Sequence, residues 1–218
     1  MALQNNTLSY DECPAKIISK IIPNSILNKS SPLSHILYNE IENTVFIIFT
    51  GTSNACMAAV DLSHSQTELD GILNYTPGLK GHHGIYDSYL SIRPQLVQIL
   101  KTYLVKNPKI VISGHSLGGG LSQICALDLA FYNPIHYSFA APLIFNQVGA
   151  AVFDKFVKYS YRVVNLSDVV TFSPFPVMPN KDAFCYVGKF VYFQRNMGDY
   201  SLNHTDAYVH EFDLTSHE

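Results

Sequence analysis

The chain has 218 residues, 14 Lys+Arg against 17 Asp+Glu, a net charge of −3, and 47% hydrophobic residues that include 14 Tyr and 13 Phe but no Trp. That balance excludes a disordered chain, which needs low hydrophobicity and high net charge. With no Lys/Arg run, it also excludes a nucleic-acid footprint.

No stretch approaches the roughly 18 consecutive apolar residues of a membrane-spanning helix. The length suits one domain over 1–218, with a core of useful size. The amino-terminal Met1-Ala-Leu-Gln-Asn-Asn has no basic n-region and no apolar h-region. No signal peptide is therefore visible, and a cytoplasmic location is the expectation. Cys13, Cys56, Cys125 and Cys185 are widely spread and form no CxxC pair. They read as reduced thiols, with neither a disulfide nor a metal site implied.

The first clear elements are Ser34-His-Ile-Leu-Tyr-Asn-Glu and Thr44-Val-Phe-Ile-Ile-Phe-Thr, two strands joined by Ile41-Glu-Asn. The second is apolar at every position but its ends, which suits a strand buried on both faces. Thr50-Gly-Thr-Ser-Asn ends it. The polar, weakly patterned stretch that follows makes 53–81 a long loop or a lid-like region, and loops of this length tend to be functional.

From Tyr86 to Val105, apolar residues recur at helical spacing, with Pro94 predicting a kink or restart. Lys109-Ile-Val-Ile-Ser reads as a buried strand, Leu121 to Phe131 as a helix, and Ile135-His-Tyr-Ser-Phe-Ala-Ala as a strand. Gln147 to Tyr159 reads as a helix and Tyr161-Arg-Val-Val-Asn-Leu as a strand. Phe184-Cys-Tyr-Val and Phe190-Val-Tyr-Phe flank Gly188 like a hairpin. A short helix over Asn203 to Phe212 closes the chain. Alternating strands and helices give an α/β class with a largely parallel central sheet.

The strongest chemical signal is Gly114-His-Ser116-Leu-Gly118 between a strand and a helix. A serine held on so sharp a turn needs small neighbours two residues to either side, where a Cβ would clash with the adjoining strand and helix. The helix start beside it favours developing negative charge. A serine is a weak nucleophile unless a base takes its proton, and the base needs an acid to fix its tautomer. In this context the expected chain order is Ser, acid, His.

Of the acids downstream, only Asp168 follows a clean strand. Asp128 and Asp154 fall within helices as solvated-face residues, and Asp182 in a turn. Of the histidines, His136 lies within a strand and His217 two residues from the terminus. His204, at the start of the last helix, is the preferred base, with His210 as the alternative. Oxyanion donors are expected from the amide of Leu117 and from Thr52, on the small-residue turn after Phe49.

Five collinear segments give this chain a family resemblance. Phe49-Thr-Gly-Thr resembles the F-R-G-[ST] oxyanion segment of the class 3 lipases, the fungal triacylglycerol lipase-like branch of the α/β hydrolases. His82-His-Gly-Ile-Tyr resembles their V-H-x-G-F. Gly114-His-Ser-Leu-Gly-Gly-Gly is similar to G-H-S-L-G-G-A, Ser138-Phe-Ala-Ala-Pro142 to T-F-G-x-P, and Asn165-Leu-Ser-Asp168-Val-Val to N-x-x-D-x-V-P.

The resemblance implies an α/β-hydrolase fold and a Ser116/Asp168/His204 triad with Thr52 and Leu117 at the oxyanion hole. It also implies acyl-ester hydrolysis without a cofactor, on a lipid or small acyl ester, with contact to a lipid interface left open. His82 is implied to be structural. Three positions depart from the pattern: Thr50 for Arg, Ala140 for Gly and Thr171 for Pro. Residues 53–70 also lack the Trp and the amphipathic strength of many family lids. Two other readings remain: a catalytically silent lipase-like binding module, and a transferase, thioesterase or peptidase using the same triad. Tyr186, Phe190, Tyr192 and Phe193, between the predicted acid and base, either flank an acyl pocket or belong to the core.

Overall fold

The computed structural model describes residues 33–51, 65–72, 76–174 and 182–212, together with the backbone of 15–21. Among the described residues, seven strands form the main sheet: β1 (Ala15–Ile21), β2 (Ser34–Asn39), β3 (Thr44–Phe49), β6 (Lys109–His115), β7 (Ile135–Phe139), β8 (Tyr159–Asn165) and β9 (Lys189–Phe193), in that spatial order. β1, β2 and β3 pair antiparallel, and β3 through β9 pair parallel. Two short strands, β4 (Gln66–Glu68) and β5 (Lys80–His82), make a separate antiparallel pair.

The α-helices of the described residues are α1 (His83–Leu104), α2 (Leu117–Asp128), α3 (Gln147–Phe156), α4 (Tyr200–His204) and α5 (Asp206–Phe212). None of the helices in the described residues is long and apolar enough to cross a membrane. The core lies between the sheet and α1 and α2, and draws Ile36, Val45, Ile47 and Phe49 from the strands, with Tyr89, Ile92, Leu96, Leu121 and Ile124 from the helices.

β3 departs from its predicted burial on both faces. Val45, Ile47 and Phe49 face the core, but Ile48 on the opposite face is 39% exposed. α1 runs unbroken through Pro94, with no restart. Its buried stripe of Tyr89, Ile92, Leu96 and Leu100 continues on both sides of the proline, so packing holds the turn despite the lost hydrogen bond.

The Gly188 hairpin does not form. β9 pairs parallel with β8, while Cys185 bridges antiparallel to Phe145. β9 is therefore an edge strand, and Tyr186, Phe190 and Tyr192 remain exposed rather than entering the core. Phe193 packs edge-on to Tyr208, with ring centroids 5.1 Å apart. The closing helix is split in two, so His204 ends α4 instead of starting a longer helix. β1 was not predicted; it pairs with β2 through a register irregularity between Ile17 and Ser19. Among the described residues, Cys125 and Cys185 form no disulfide; Cys13 and Cys56 lie outside them.

Candidate active site

The parallel strands all end on one side of the sheet, where crossover connections bring distant residues together. Ser116 sits on the turn from β6 into α2. Its backbone has φ 59° and ψ −125°, a left-handed conformation that costs a non-glycine residue on the order of 1–3 kcal/mol. The turn is held by Ser116 N–H donating to Phe139 O at 2.9 Å, and by Gly120 N–H donating to Ser116 O at 3.2 Å.

The flanking glycines are required by contact. A Cβ on Gly114 would overlap the Gly118 carbonyl, and one on Gly118 would overlap the end of β3 at Phe49. Leu117 is the first residue of α2, so its amide has no intrahelical acceptor and faces the helix N-terminal field. Gly51 runs alongside: a Cβ there would stand 3.3 Å from Ser116 Cβ. Thr52, the other predicted oxyanion donor, lies outside the described residues.

Asp168 leaves β8 and is 1% exposed. Its Oδ1 accepts the Val170 amide at 3.0 Å, which caps the short 3-10 turn Val169–Phe172. Its Oδ2 accepts from His204 Nδ1 at 2.9 Å and from the Tyr208 hydroxyl at 3.0 Å. Because a carboxylate only accepts, the bond assigns the His204 proton to Nδ1 and the lone pair to Nε2. Among the described residues, that Nε2 is buried and has no hydrogen-bond partner, so it is free to accept a proton.

Several residues that secure this arrangement were not read from the sequence. Tyr208 bridges the acid to β8, since its oxygen also accepts the Asn165 amide at 2.9 Å. Burial and the nearby Asp168 carboxylate push the Tyr208 phenol well above its ordinary range, so it stays a donor. Asn165 Nδ2 donates to Arg195 O at 2.8 Å and to Asn203 O at 3.0 Å, which ties the strand before Asp168 to the residue before His204.

Arg162 is 1% exposed and, among the described residues, has no carboxylate within ion-pair distance. Its Nη2 donates to Ala141 O and Thr171 O, each at 2.7 Å. Desolvation lowers its pKa to about 10, so it remains a cation at neutral pH. It thus joins the turn after β7 to the acid loop. Arg162→Met is expected to destabilise the fold by about 2–4 kcal/mol, because both buried carbonyls lose a charged donor. Urea unfolding of the two proteins would measure it.

Two family departures now have local explanations. Thr171, in place of Pro, donates its hydroxyl to Asp168 O at 2.7 Å and so closes the acid loop itself. Ala140, in place of Gly, adopts φ 51°, a conformation that glycine takes without strain.

The residues set aside also have defined places. His82 is buried and caps α1, its Nδ1 accepting the Ile85 amide at 3.4 Å. His210 is exposed, and His217 lies outside the described residues. Asp128 does not lie on a solvated face: its side chain is 5% exposed and receives Arg93 Nε at 2.7 Å and Tyr89 Oη at 2.6 Å. Asp154 accepts the Gly188 amide at 2.8 Å, and Asp182 pairs with Lys80 at 3.1 Å.

His136 is fully buried in the sheet and bonded to Ser160 at 2.8 Å and Ser122 at 3.0 Å. Ser122 gives its own proton to Gly119 O, so His136 Nε2–H donates to Ser122, and Nδ1 accepts from Ser160. Burial, with Arg162 nearby, lowers the His136 pKa to about 3. Among the described residues, no carboxylate completes this pair. It is a saturated polar relay inside the sheet, with both ring nitrogens already engaged.

The family model for lipase (class 3) matches residues 46–178, more than half of the chain. The chain belongs to the class 3 lipase family. Among curated proteins, it is 35% identical over 92 residues to a Rhizomucor miehei lipase, covering 40% of this chain and 24% of that one. It is 26% identical over 153 residues to a Caenorhabditis elegans lipase, covering 64% of this chain and 40% of that one. The matched stretch thus spans about a quarter to two fifths of those relatives' length.

Among solved structures, it is similar to the Rhizomucor miehei triacylglyceride lipase (TM-score 0.70, 25% identity, covering 84% of this chain and 68% of that one). It also resembles a Rhizopus microsporus var. chinensis lipase (TM-score 0.72, 22% identity, covering 84% and 63%). A mono- and diacylglycerol lipase from Aspergillus oryzae is similar too (TM-score 0.70, 19% identity, covering 85% and 66%). These likenesses show the α/β-hydrolase fold for this class 3 lipase family member.

Proposed function

We propose that this class 3 lipase family member is a serine carboxylic ester hydrolase acting on acylglycerols or related lipid esters. The observation that carries the reading is the buried Asp168–His204 pair, whose bonding leaves Nε2 as a lone pair, on a histidine whose main-chain oxygen His115, the neighbour of the strained Ser116, meets at 2.7 Å. The family and the triacylglyceride and mono- and diacylglycerol lipases among the similar structures support the substrate class.

In the proposed reaction, Ser116 Oγ bonds to the acyl carbon while its proton passes to His204 Nε2. The carbonyl π pair moves onto oxygen, where the Leu117 amide stabilises it, with Thr52 as the proposed second donor. Asp168 offsets the charge of the imidazolium and holds its orientation. Collapse breaks the ester C–O bond, and the departing alkoxide takes the proton from His204. Water then repeats the sequence on the acyl-enzyme and releases the acid. No cofactor enters the scheme.

A series of p-nitrophenyl esters and glycerides from acetyl to palmitoyl, with and without an emulsion, is the test. The protein is expected to release p-nitrophenolate and free fatty acid. A series in which no carboxylic ester is cleaved would overturn the reading. A rise in rate confined to concentrations above substrate solubility would assign a lid function to the 53–81 region; saturation below solubility would assign a soluble-ester preference.

A further inference from the structure

Beside the proposed base lies a second imidazole that the reaction scheme does not use. His115 is the last residue of β6 and the neighbour of Ser116. Its Nε2 is 2.7 Å from the main-chain oxygen of His204. A carbonyl only accepts, so His115 carries its proton on Nε2 and donates it. The ring centroid stands 4.8 Å from that of His204, and the ring meets Tyr208 edge-on at 5.6 Å. On its other side, a Cβ on Gly51 would lie 3.6 Å from His115 Nδ1. One ring therefore touches the elbow strand, the base, the tyrosine that holds the acid, and the segment after β3.

The need for such a tether follows from the helix that carries the base. α4 has only five residues, and His204 is the last of them. Carbonyls at a helix end have no intrahelical donor, and a buried one must be satisfied from elsewhere. The next amide able to turn back, that of Tyr208, donates to Thr205 O instead. His115 thus supplies a donor to the carbonyl of the residue whose side chain must meet Ser116, across 89 positions of sequence.

We propose that His115 is a positioning residue: its Nε2–H bond to the His204 carbonyl holds the base in register with Ser116. This inference rests on the reading of His204 as the base of an ester hydrolase. His115 also remains neutral while His204 becomes charged. Burial, then the neighbouring His204, lower its pKa below the usual histidine value, against smaller opposing effects of the backbone bond and Asp168. A neutral ring avoids a like charge against the imidazolium.

The test compares His115→Met, which fills similar space without a donor, with His115→Gln, whose amide nitrogen reaches the same position. With a soluble p-nitrophenyl ester, His115→Met is expected to lose about 100-fold in kcat with little change in KM, the scale of an ångström-level misplacement. His115→Gln is expected to recover most of that loss. Thermal unfolding and the rate of fluorophosphonate labelling of Ser116 are measured in parallel. If the unsubstituted protein labels at Ser116 and His115→Met labels equally fast, the inference fails and the ester-hydrolase reading stands. If the unsubstituted protein neither labels nor turns over, that reading fails and the inference with it. Equal losses in Met and Gln variants that fold normally would also overturn the inference. If neither variant folds, 15N-histidine NMR of the unsubstituted protein decides: a neutral ring protonated on Nε2 is expected, and one protonated on Nδ1 overturns it.

Discussion

Ser116→Ala is expected to lower kcat for p-nitrophenyl ester hydrolysis by roughly a million-fold, the scale at which a nucleophile acting as a unit with its base is lost. The fold should survive the change. Alanine occupies the same left-handed conformation as serine at φ 59°, and the turn is held by main-chain bonds to Phe139 and Gly120. Ser116→Gly separates strain from chemistry. It should be equally inactive yet more stable by about 1 kcal/mol, because relief of a strain of about 1–3 kcal/mol exceeds the roughly 0.5–1 kcal/mol that glycine's extra unfolded freedom costs. Activity and urea unfolding of both variants check this. An inactive but unstabilised Gly variant would refute the strain argument alone, and an active Ala variant would refute the nucleophile.

Asp168→Asn is expected to lower kcat by about 10^4-fold while keeping the fold. The reason lies in the donors around the carboxylate. His204 Nδ1 and Tyr208 Oη reach Oδ2, and the Val170 amide reaches Oδ1. An asparagine must place its NH2 against one of these donor sets. Against His204, it turns the ring to the tautomer with Nε2 protonated, which cannot accept from Ser116. Against Val170, it breaks the cap that shapes the acid loop. Either arrangement impairs the base without removing its side chain. A kcat within tenfold of the unsubstituted protein would remove Asp168 from the proposed triad.

The parallel strands were legible because a strand flanked by others reads as an apolar run, as Val45 to Phe49 and Ile110 to Ile112 do. The elbow was legible for a steric reason: Gly114 and Gly118 sit where a Cβ would strike neighbouring backbone. Asp168 followed from its place at a strand end. His204 was chosen by order and elimination, and it bonds to Asp168, but its helix was misplaced, because nothing in Asn203 to Phe212 marks the break at Thr205.

What escaped the sequence is the support of the site. Tyr208 meets Asp168 across 40 positions, and His115 meets His204 across 89, so no local pattern links them. Arg162 read as part of an apolar strand, although its charge joins two loops through their main-chain carbonyls. β9 misled for the opposite reason: its aromatic residues suggested a hairpin, yet it pairs parallel with β8, and Phe190 and Tyr192 sit exposed on an edge strand rather than in the core.

The most direct measurement of the central claim is stoichiometric labelling of the whole protein by a fluorophosphonate, followed by mass spectrometry of its peptides. A single adduct on Ser116 is predicted, lost in Ser116→Ala and strongly slowed in Asp168→Asn. The absence of any adduct, or an adduct on another serine such as Ser160 of the His136 relay, would contradict it.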